Sequence, residues 1–197
     1  MLSNYNIGTR IKPAYARMDI RFQRMVDRWV GIPACAALSI WHYGVGFIFR
    51  PIETIAPKRI LVILLSEMGS LVLAEPMFRR LQDRFPNAEI HMMLFARNRQ
   101  LLDLLGVVKK ENVKTIRDDS LTHLLCDLAK AIWWMRTNKF DAILDCELFS
   151  RISAILSGIS GARRRAGFHR HTQEGLYRGS FINSPVAYNP YRHLSHQ

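Results

Sequence analysis

Cysteine is scarce in this sequence of 197 residues, which contains only Cys35, Cys126 and Cys146. Three cysteines give no even set of disulfide partners, and none of them belongs to a C-x-x-C pair. We therefore expect neither a disulfide scaffold nor a structural zinc site, and we expect a reducing compartment. The histidines near the C-terminus match the ligand spacing of no closed metal site, so no metal is predicted.

Acidic residues are also few, with 16 Asp and Glu against 28 Lys and Arg, which gives a formal net charge of +12. Such a surface attracts nucleic acid, acidic lipid headgroups or phosphorylated substrates, and composition alone does not choose among them. The sequence lacks an aromatic-basic RNA motif and helix-turn-helix spacing, so we expect no nucleic-acid partner. Disorder is excluded because 49% of the residues are hydrophobic.

Targeting and nucleotide-binding signatures are missing as well. Residues 1–28 are polar and basic, so they lack the apolar run of a secretory signal peptide. The pair Gly44-x-Gly46 follows no predicted strand, and the sequence contains neither G-x-G-x-x-G nor a P-loop. We therefore predict no cofactor.

Residues 1–57 read as a basic and apolar helical extension. Apolar residues recur at helical spacing from Asp19 onward, which predicts a basic amphipathic helix. The next stretch, Trp29–Phe49, has no charged residue and is long enough to cross a membrane. Pro33, His42 and several glycines lower its hydrophobicity, and its aromatic residues suit an interface. We favour a segment that lies on the membrane surface; a membrane span and a helical hairpin packed on the main domain are the alternatives.

Residues 58–197 predict an α/β domain, because short apolar runs alternate with helical patterns. The predicted strands are Arg59–Leu65, Glu89–Phe95, Asn112–Ile116, Phe140–Cys146 and Arg164–Phe168. The predicted helices are Leu71–Phe85, Arg97–Leu105, Ser120–Asn138 and Phe149–Leu156. This alternation indicates a Rossmann-like parallel sheet with right-handed crossovers and helices on both faces.

Ligands of such sheets bind outside the carboxyl ends of the strands, which selects a set of candidate residues. After the predicted strands come Ser66, Glu67, Met68, Gly69, Ser70, Arg97, Asn98, Asp145, Glu147 and His169. Gly69 lets backbone N–H groups approach an anionic ligand at a helix start. A carboxylate pair such as Asp145 and Glu147 suits a divalent metal and a nucleotide-sugar diphosphate, although a solvated strand end with a helix cap is the favoured interpretation. The guanidinium groups of Arg163, Arg164 and Arg165 suit phosphates and carboxylates.

Two stretches resemble glycosyltransferase family 9, the ADP-heptose:lipopolysaccharide heptosyltransferases. They run from Arg59 to Met93 and from Lys139 to Arg170, within a resemblance that covers residues 58–192. The matching features are Gly69-Ser70, Pro76, Phe85-Pro86-Asn87-Ala88, Phe140-Asp141, Ser150-Arg151, Ser160-Gly161-Ala162 and Arg165-Ala166-Gly167-Phe168. The resemblance implies the N-terminal, acceptor-binding half of a two-lobed GT-B fold. Because the chain stops at Gln197, we expect the donor-binding domain to be absent and the chain to be inactive alone.

The resemblance also implies roles for single residues. Family members carry an aspartate after the glycine as the general base, and Ser70 stands at that position here. A neutral serine does not take up the proton as a carboxylate does, so Glu67 in the same turn is the predicted replacement, with Glu75 as a poorer alternative. Arg97 and the run Arg163–Arg165 are expected to hold acidic or phosphorylated groups of the acceptor. Acceptor contacts are further expected from Ser66, Met68, Gly69, Asp145, Glu147 and His169.

In the implied reaction, an acceptor hydroxyl attacks the anomeric carbon of a nucleotide sugar, and the nucleoside diphosphate leaves. The expected acceptor is the lipopolysaccharide core or a related anionic glycolipid. The expected location is peripheral, at the inner face of a bacterial cytoplasmic membrane. The alternative is a non-catalytic, membrane-associated module that binds anionic glycolipid or a partner protein.

Overall fold

The computed structural model describes residues 25, 28–46, 56–65, 68–148, 150–168 and 177–186, and of residues 42–46 it describes the backbone only. Three of the predicted site residues, Ser66, Glu67 and His169, lie outside the described residues. The same holds for most of the basic helix predicted from Asp19 onward.

Within the described part of the chain, six parallel strands form one sheet in the order β3-β2-β1-β4-β5-β6. They are β1 (Arg59–Ile63), β2 (Glu89–Phe95), β3 (Val113–Ile116), β4 (Ala142–Asp145), β5 (Arg164–Phe168) and β6 (Ser184–Val186). The predicted Rossmann-like parallel sheet is therefore confirmed, and only the edge strand β6 was not predicted. The strand order reverses between β1 and β4, which opens the crevice where doubly wound sheets bind ligands.

The helices with described bounds are α1 (Gly31–Gly46), α2 (Met68–Leu73), α3 (Glu75–Arg84), α4 (Arg99–Leu105), α5 (Leu121–Asn138) and α6 (Arg151–Ile159). One predicted helix, Leu71–Phe85, is wrong in outline: the helical segment begins earlier, at Met68, and is interrupted at Ala74. Pro76 fits the first turn of α3 because no intrahelical partner is needed there. The predicted N-cap of α5 is confirmed, since Ser120 accepts a hydrogen bond from the backbone N–H of His123.

Hydrophobic layers cover both faces of the sheet and centre on β1, which is buried from Ile60 to Ile63. Ile63 packs in the layer formed with α5 and α6, where Met135 is fully buried. Val62 points to the opposite layer, formed with α2, α3 and α4, where Phe78 is fully buried. Because both faces of β1 are covered, its carboxyl end is held rigidly in the centre of the sheet.

Helix α1 packs on the α/β domain. Cys35 is fully buried against Ala154 of α6 and against Phe181, and Ser39 is buried beside it. No helix in the described ranges is long and apolar enough to cross a membrane. Of the three interpretations, packing on the main domain thus holds for α1, while contact with a membrane surface stays a prediction.

Candidate functional site

The loops that follow β1, β2 and β4 meet at Leu65. The backbone N–H of Leu65 donates to Glu147 Oε1 at 2.6 Å, and its carbonyl accepts from Asn98 Nδ2 at 3.0 Å. Both partner side chains are buried, with Asn98 on the turn after β2 and Glu147 after β4. Three strand ends are therefore locked together by side chains that the sequence places far apart.

Asp145, the last residue of β4, is fully buried in an ion pair. Its Oδ2 accepts from Arg178 Nη2 at 3.0 Å, and its Oδ1 accepts from the backbone N–H of Glu147 at 3.2 Å. The same Arg178 nitrogen donates to Ser153 Oγ at 3.1 Å. Burial raises the pKa of Asp145 to about 6, and Arg178 opposes this rise, so the carboxyl group is ionised at neutral pH. The favoured interpretation of Asp145 and Glu147 as a solvated strand end is wrong, because both side chains are buried.

Buried arginines anchor the segment that precedes β6. Arg151 donates from Nε to the carbonyl of Tyr177 at 2.9 Å. Arg165 donates from Nε to the carbonyl of Phe181 at 2.5 Å, and Arg178 forms the ion pair with Asp145. Positive charge is thus used inside the domain to hold residues 177–183 against the sheet.

Arg97 lies at the same carboxyl edge, in the turn after β2. Its guanidinium group pairs with Asp118 and lies 5.1 Å from the ring centre of Phe95. The charge of Arg97 is therefore partly matched within the protein, and a phosphate would have to compete with Asp118.

The run Arg163–Arg165 does not lie at the carboxyl edge of the sheet. Arg164 pairs in register with Ala142 at the start of β4, whereas Gly167 pairs with Asp145 at its end. The three residue steps from Arg164 to Gly167 correspond to about 10 Å, at ~3.3 Å per residue. The structure therefore leaves this run at the amino edge and does not bring it to the other predicted site residues. The role of Arg163, Arg164 and Arg165 as acceptor ligands stays a prediction that their placement does not support.

A groove of about 1070 Å³ opens beside the carboxyl edge. Helices α2 and α3 line one side of it, and strands β4, β5 and β6 line the other. Ser70 and Asp145 border it, and Arg80 and Arg84 line it along α3. Apolar contacts come mainly from Val72, Met77, Leu81, Leu144, Ala166 and Phe168. Cys146 also lines the groove, but burial raises the pKa of its thiol to about 12, so it is not a thiolate at neutral pH.

The first turn of α2 carries Met68, Gly69 and Ser70, and of these Ser70 lines the groove. Met68 and Gly69 are exposed, and Ser70 is partly buried. A Cβ atom at Gly69 would meet no atom within 4 Å. The space above this glycine is therefore open to a ligand, and packing does not demand its small size.

Comparison with known proteins gives matches among solved structures. The sequence matches no family model and no curated protein. The structure of E. coli heptosyltransferase WaaC with ADP-2-deoxy-2-fluoro heptose matches with a TM-score of 0.57 and 16% identity, over 70% of this chain and 45% of that chain. The same enzyme with ADP matches with a TM-score of 0.55 and 16% identity, over 70% of this chain and 43% of that chain.

A family 9 glycosyltransferase from Veillonella parvula matches with a TM-score of 0.51 and 16% identity, over 60% of this chain and 34% of that chain. This chain has the fold of one part of a family 9 glycosyltransferase. The resemblance predicted from the sequence is thereby confirmed at the level of the fold. The chain spans less than half of the length of each of these proteins.

The structure thus gathers seven predicted residues at one edge of a glycosyltransferase-like domain: Met68, Gly69, Ser70, Arg97, Asn98, Asp145 and Glu147. Sequence reasoning missed Ser153 and Arg178, which together with Asn98 position this edge from inside. No local motif marks these two residues; the one signal was Asp145 at the end of an apolar strand, where a carboxylate that becomes buried needs a cation nearby. Within the described ranges, no three metal-ligating side chains come together.

Proposed function

We propose that this domain is the acceptor-binding half of a glycosyltransferase that moves a sugar from a nucleotide sugar to an anionic glycolipid, such as a lipopolysaccharide core. The fold shared with heptosyltransferases carries this proposal. The open groove at the carboxyl edge supports it, since such sheets bind ligands there. Donor binding is assigned to a second lobe, because the chain spans less than half of the length of the similar enzymes.

In the proposed reaction, the acceptor hydroxyl loses its proton as it attacks the anomeric carbon. Asp145 and Glu147 are unsuited to take this proton, because each already accepts hydrogen bonds that hold the strand ends. The Ser70 hydroxyl can orient the acceptor but cannot act as a carboxylate base. Glu67, two residues after the Leu65 junction, is therefore the proposed base.

Charge favours an acidic acceptor. Arg80 and Arg84 lie one helical turn apart along the groove, in a protein with a net charge of +12. Their guanidinium groups match phosphate and carboxylate in geometry and charge. A lipid-linked acceptor of this kind places the protein at the cytoplasmic face of the membrane.

The test is ligand binding by the full chain, measured by titration calorimetry with a phosphorylated core oligosaccharide and with an ADP-sugar. We expect weak binding of the oligosaccharide and little binding of the ADP-sugar. The double variant Arg80→Gln/Arg84→Gln should weaken oligosaccharide binding by about tenfold, the loss typical of a hydrogen bond to a charged group. Arg79→Gln is the matched control, since Arg79 lies on α3, pairs with Glu75 and does not line the groove. Tight ADP-sugar binding without oligosaccharide binding would overturn the assignment.

A second candidate is a non-catalytic module that binds anionic glycolipid or a partner protein. This candidate is favoured because Ser70 stands where family members carry the aspartate that acts as general base. Release of ADP from the ADP-sugar, measured with the oligosaccharide present, separates the two functions. Oligosaccharide binding with no ADP release, even after a donor-binding lobe is added, would favour the module.

A further inference from the structure

Helix α1 carries an exposed apolar face. The side of the helix that contacts the domain is narrow and consists of Gly31, Cys35 and Ser39, with Leu38 partly buried beside them. The opposite side exposes Pro33, Ala37, Ile40 and Trp41, and the residues just before the helix expose Met25, Trp29 and Val30. Trp29 is 76% exposed and Trp41 is 72% exposed. We call these seven residues the α1 outer face; it contains no polar or charged side chain.

From this face we infer that α1 is a docking surface for an anionic lipid bilayer, on which the helix lies parallel to the membrane. A contiguous set of large exposed apolar side chains marks an interaction surface rather than ordinary surface variation. Tryptophan is favoured at membrane interfaces, because its ring is apolar and its N–H is polar.

Charge selects a bilayer over a second copy of this chain. The sequence around the face is basic, with Arg21 and Arg24 before it, Arg28 between its first two residues and Arg50 after it, and no acidic residue occurs between Asp27 and Glu53. Anionic lipids attract basic segments that flank an apolar helix face. Two copies, each with a net charge of +12, would instead repel each other where these faces met.

The buried side of α1 favours a helix that lies on the surface over one that crosses the bilayer. Cys35 is fully buried on the domain, and Ser39 Oγ donates to the carbonyl of Cys35 at 2.6 Å. A helix whose one side is committed to the domain presents only its other side to lipid. This arrangement fits an interfacial amphipathic helix, whose apolar side enters the boundary between headgroups and acyl chains.

Hydrogen bonds tie the buried side of α1 to the candidate site. Ser39 Oγ accepts from the hydroxyl of Tyr177 at 2.8 Å and from the backbone N–H of Ser180 at 3.0 Å. Between these two residues lies Arg178, which is paired with Asp145 at the carboxyl edge. Docking α1 on a bilayer would therefore hold that edge in one orientation toward the membrane. This role of the surface rests on the proposed glycolipid acceptor, whereas lipid binding itself does not.

The experiment is flotation of the full chain with vesicles of phosphatidylethanolamine and phosphatidylglycerol, and with vesicles of phosphatidylcholine alone. We expect the protein to float with the anionic vesicles and to float much less with the neutral ones. The triple variant Trp29→Gln/Ile40→Gln/Trp41→Gln should lower partitioning by about tenfold or more, because interfacial binding scales with buried apolar area.

The matched control is Trp133→Gln, since Trp133 is 70% exposed but lies on α5. It should float like the wild type. Equal circular dichroism and equal thermal unfolding of the variants show that the fold is intact. Unchanged flotation of the triple variant would overturn the inference. The inference would also be overturned if the wild-type protein formed a dimer that does not bind vesicles and the triple variant were a monomer. These vesicles contain no glycan, so failure here leaves oligosaccharide binding untouched, and the reverse also holds.

Discussion

Replacing Asp127 by asparagine removes the negative charge that holds the loop after β3 to α5. Both carboxylate oxygens accept from the Arg117 guanidinium group, from Nε at 2.7 Å and from Nη2 at 2.9 Å. The backbone N–H of Arg117 donates to the same carboxylate at 3.1 Å. These bonds lower the pKa of Asp127 from 3.8 to about 2, led by the Arg117 side chain.

The magnitude follows from this pKa. A fall from 3.8 to about 2 corresponds to about 2–3 kcal/mol, at ~1.4 kcal/mol per pKa unit. The Asp127 side chain is only 11% exposed, but the Arg117 side chain is nearly half exposed and so is partly screened by solvent. We therefore expect Asp127→Asn to lower the free energy of unfolding by about 1–2 kcal/mol at pH 7.

The assay is equilibrium unfolding in urea at several pH values. Because the pKa is lower in the folded state, the stabilisation is present above pH 3.8 and is lost as the pH falls toward 2. The difference in free energy of unfolding between wild type and Asp127→Asn should therefore become smaller over that pH range. Asp103→Asn is the control: Asp103 pairs with Arg99 on the α4 surface and should cost about 0.5 kcal/mol or less. The reasoning would be refuted if Asp127→Asn lowered the free energy of unfolding at pH 7 by no more than Asp103→Asn does. It would also be refuted if the difference in free energy between wild type and Asp127→Asn stayed the same at the lowest accessible pH.

Measurable effects on stability are expected at three further positions, and Gly69 serves as a control. Burial lowers the pKa of His91 below its usual 6.5. As the pH falls through 6.5, the unfolded state therefore binds a proton more readily than the folded state does, and the folded state loses stability. His91→Phe removes this group, so Tm should depend less on pH between 7.5 and 5.5. Ser39→Ala should cost about 1–3 kcal/mol in urea unfolding, because the Tyr177 hydroxyl and the Ser180 backbone N–H lose the buried Ser39 Oγ as acceptor; a cost no larger than that of an average surface substitution would contradict this. Gly161→Ala should lower Tm by several degrees, since Gly161 has φ +83°, a conformation that L side chains rarely adopt, whereas Gly69→Ala, in open space, should leave Tm nearly unchanged.

Much of the sheet was predictable because each strand carries its own signal. β2 and β5 begin and end at the residues predicted, and the apolar run from Ile60 is typical of a strand covered on both faces. β6 escaped prediction for a physical reason. It has three exposed residues, one of which is Pro185, and proline in a strand is tolerated only at an edge or similar position.

The candidate site was only partly predictable, for a different reason. Parallel strands end at one edge, so Ser70 and Asp145 could be placed together from topology alone. The role of Asp145 as a buried ion-pair partner could not be predicted from topology, because Arg178 is 33 residues away in sequence. The run Arg163–Arg165 showed the same limit, since a charged run does not reveal at which end of a strand it lies until the register is known.

By itself, the sequence determined the alternation of strands and helices, the excess of positive charge and the apolar stretch at the N-terminus. These properties depend on neighbouring residues or on composition, so they can be read along the chain. Only the tertiary structure decided that Asp145 and Glu147 are buried supports and that α1 turns its aromatic side outward. Burial depends on contacts between residues that are far apart in sequence, and folding alone brings those residues together.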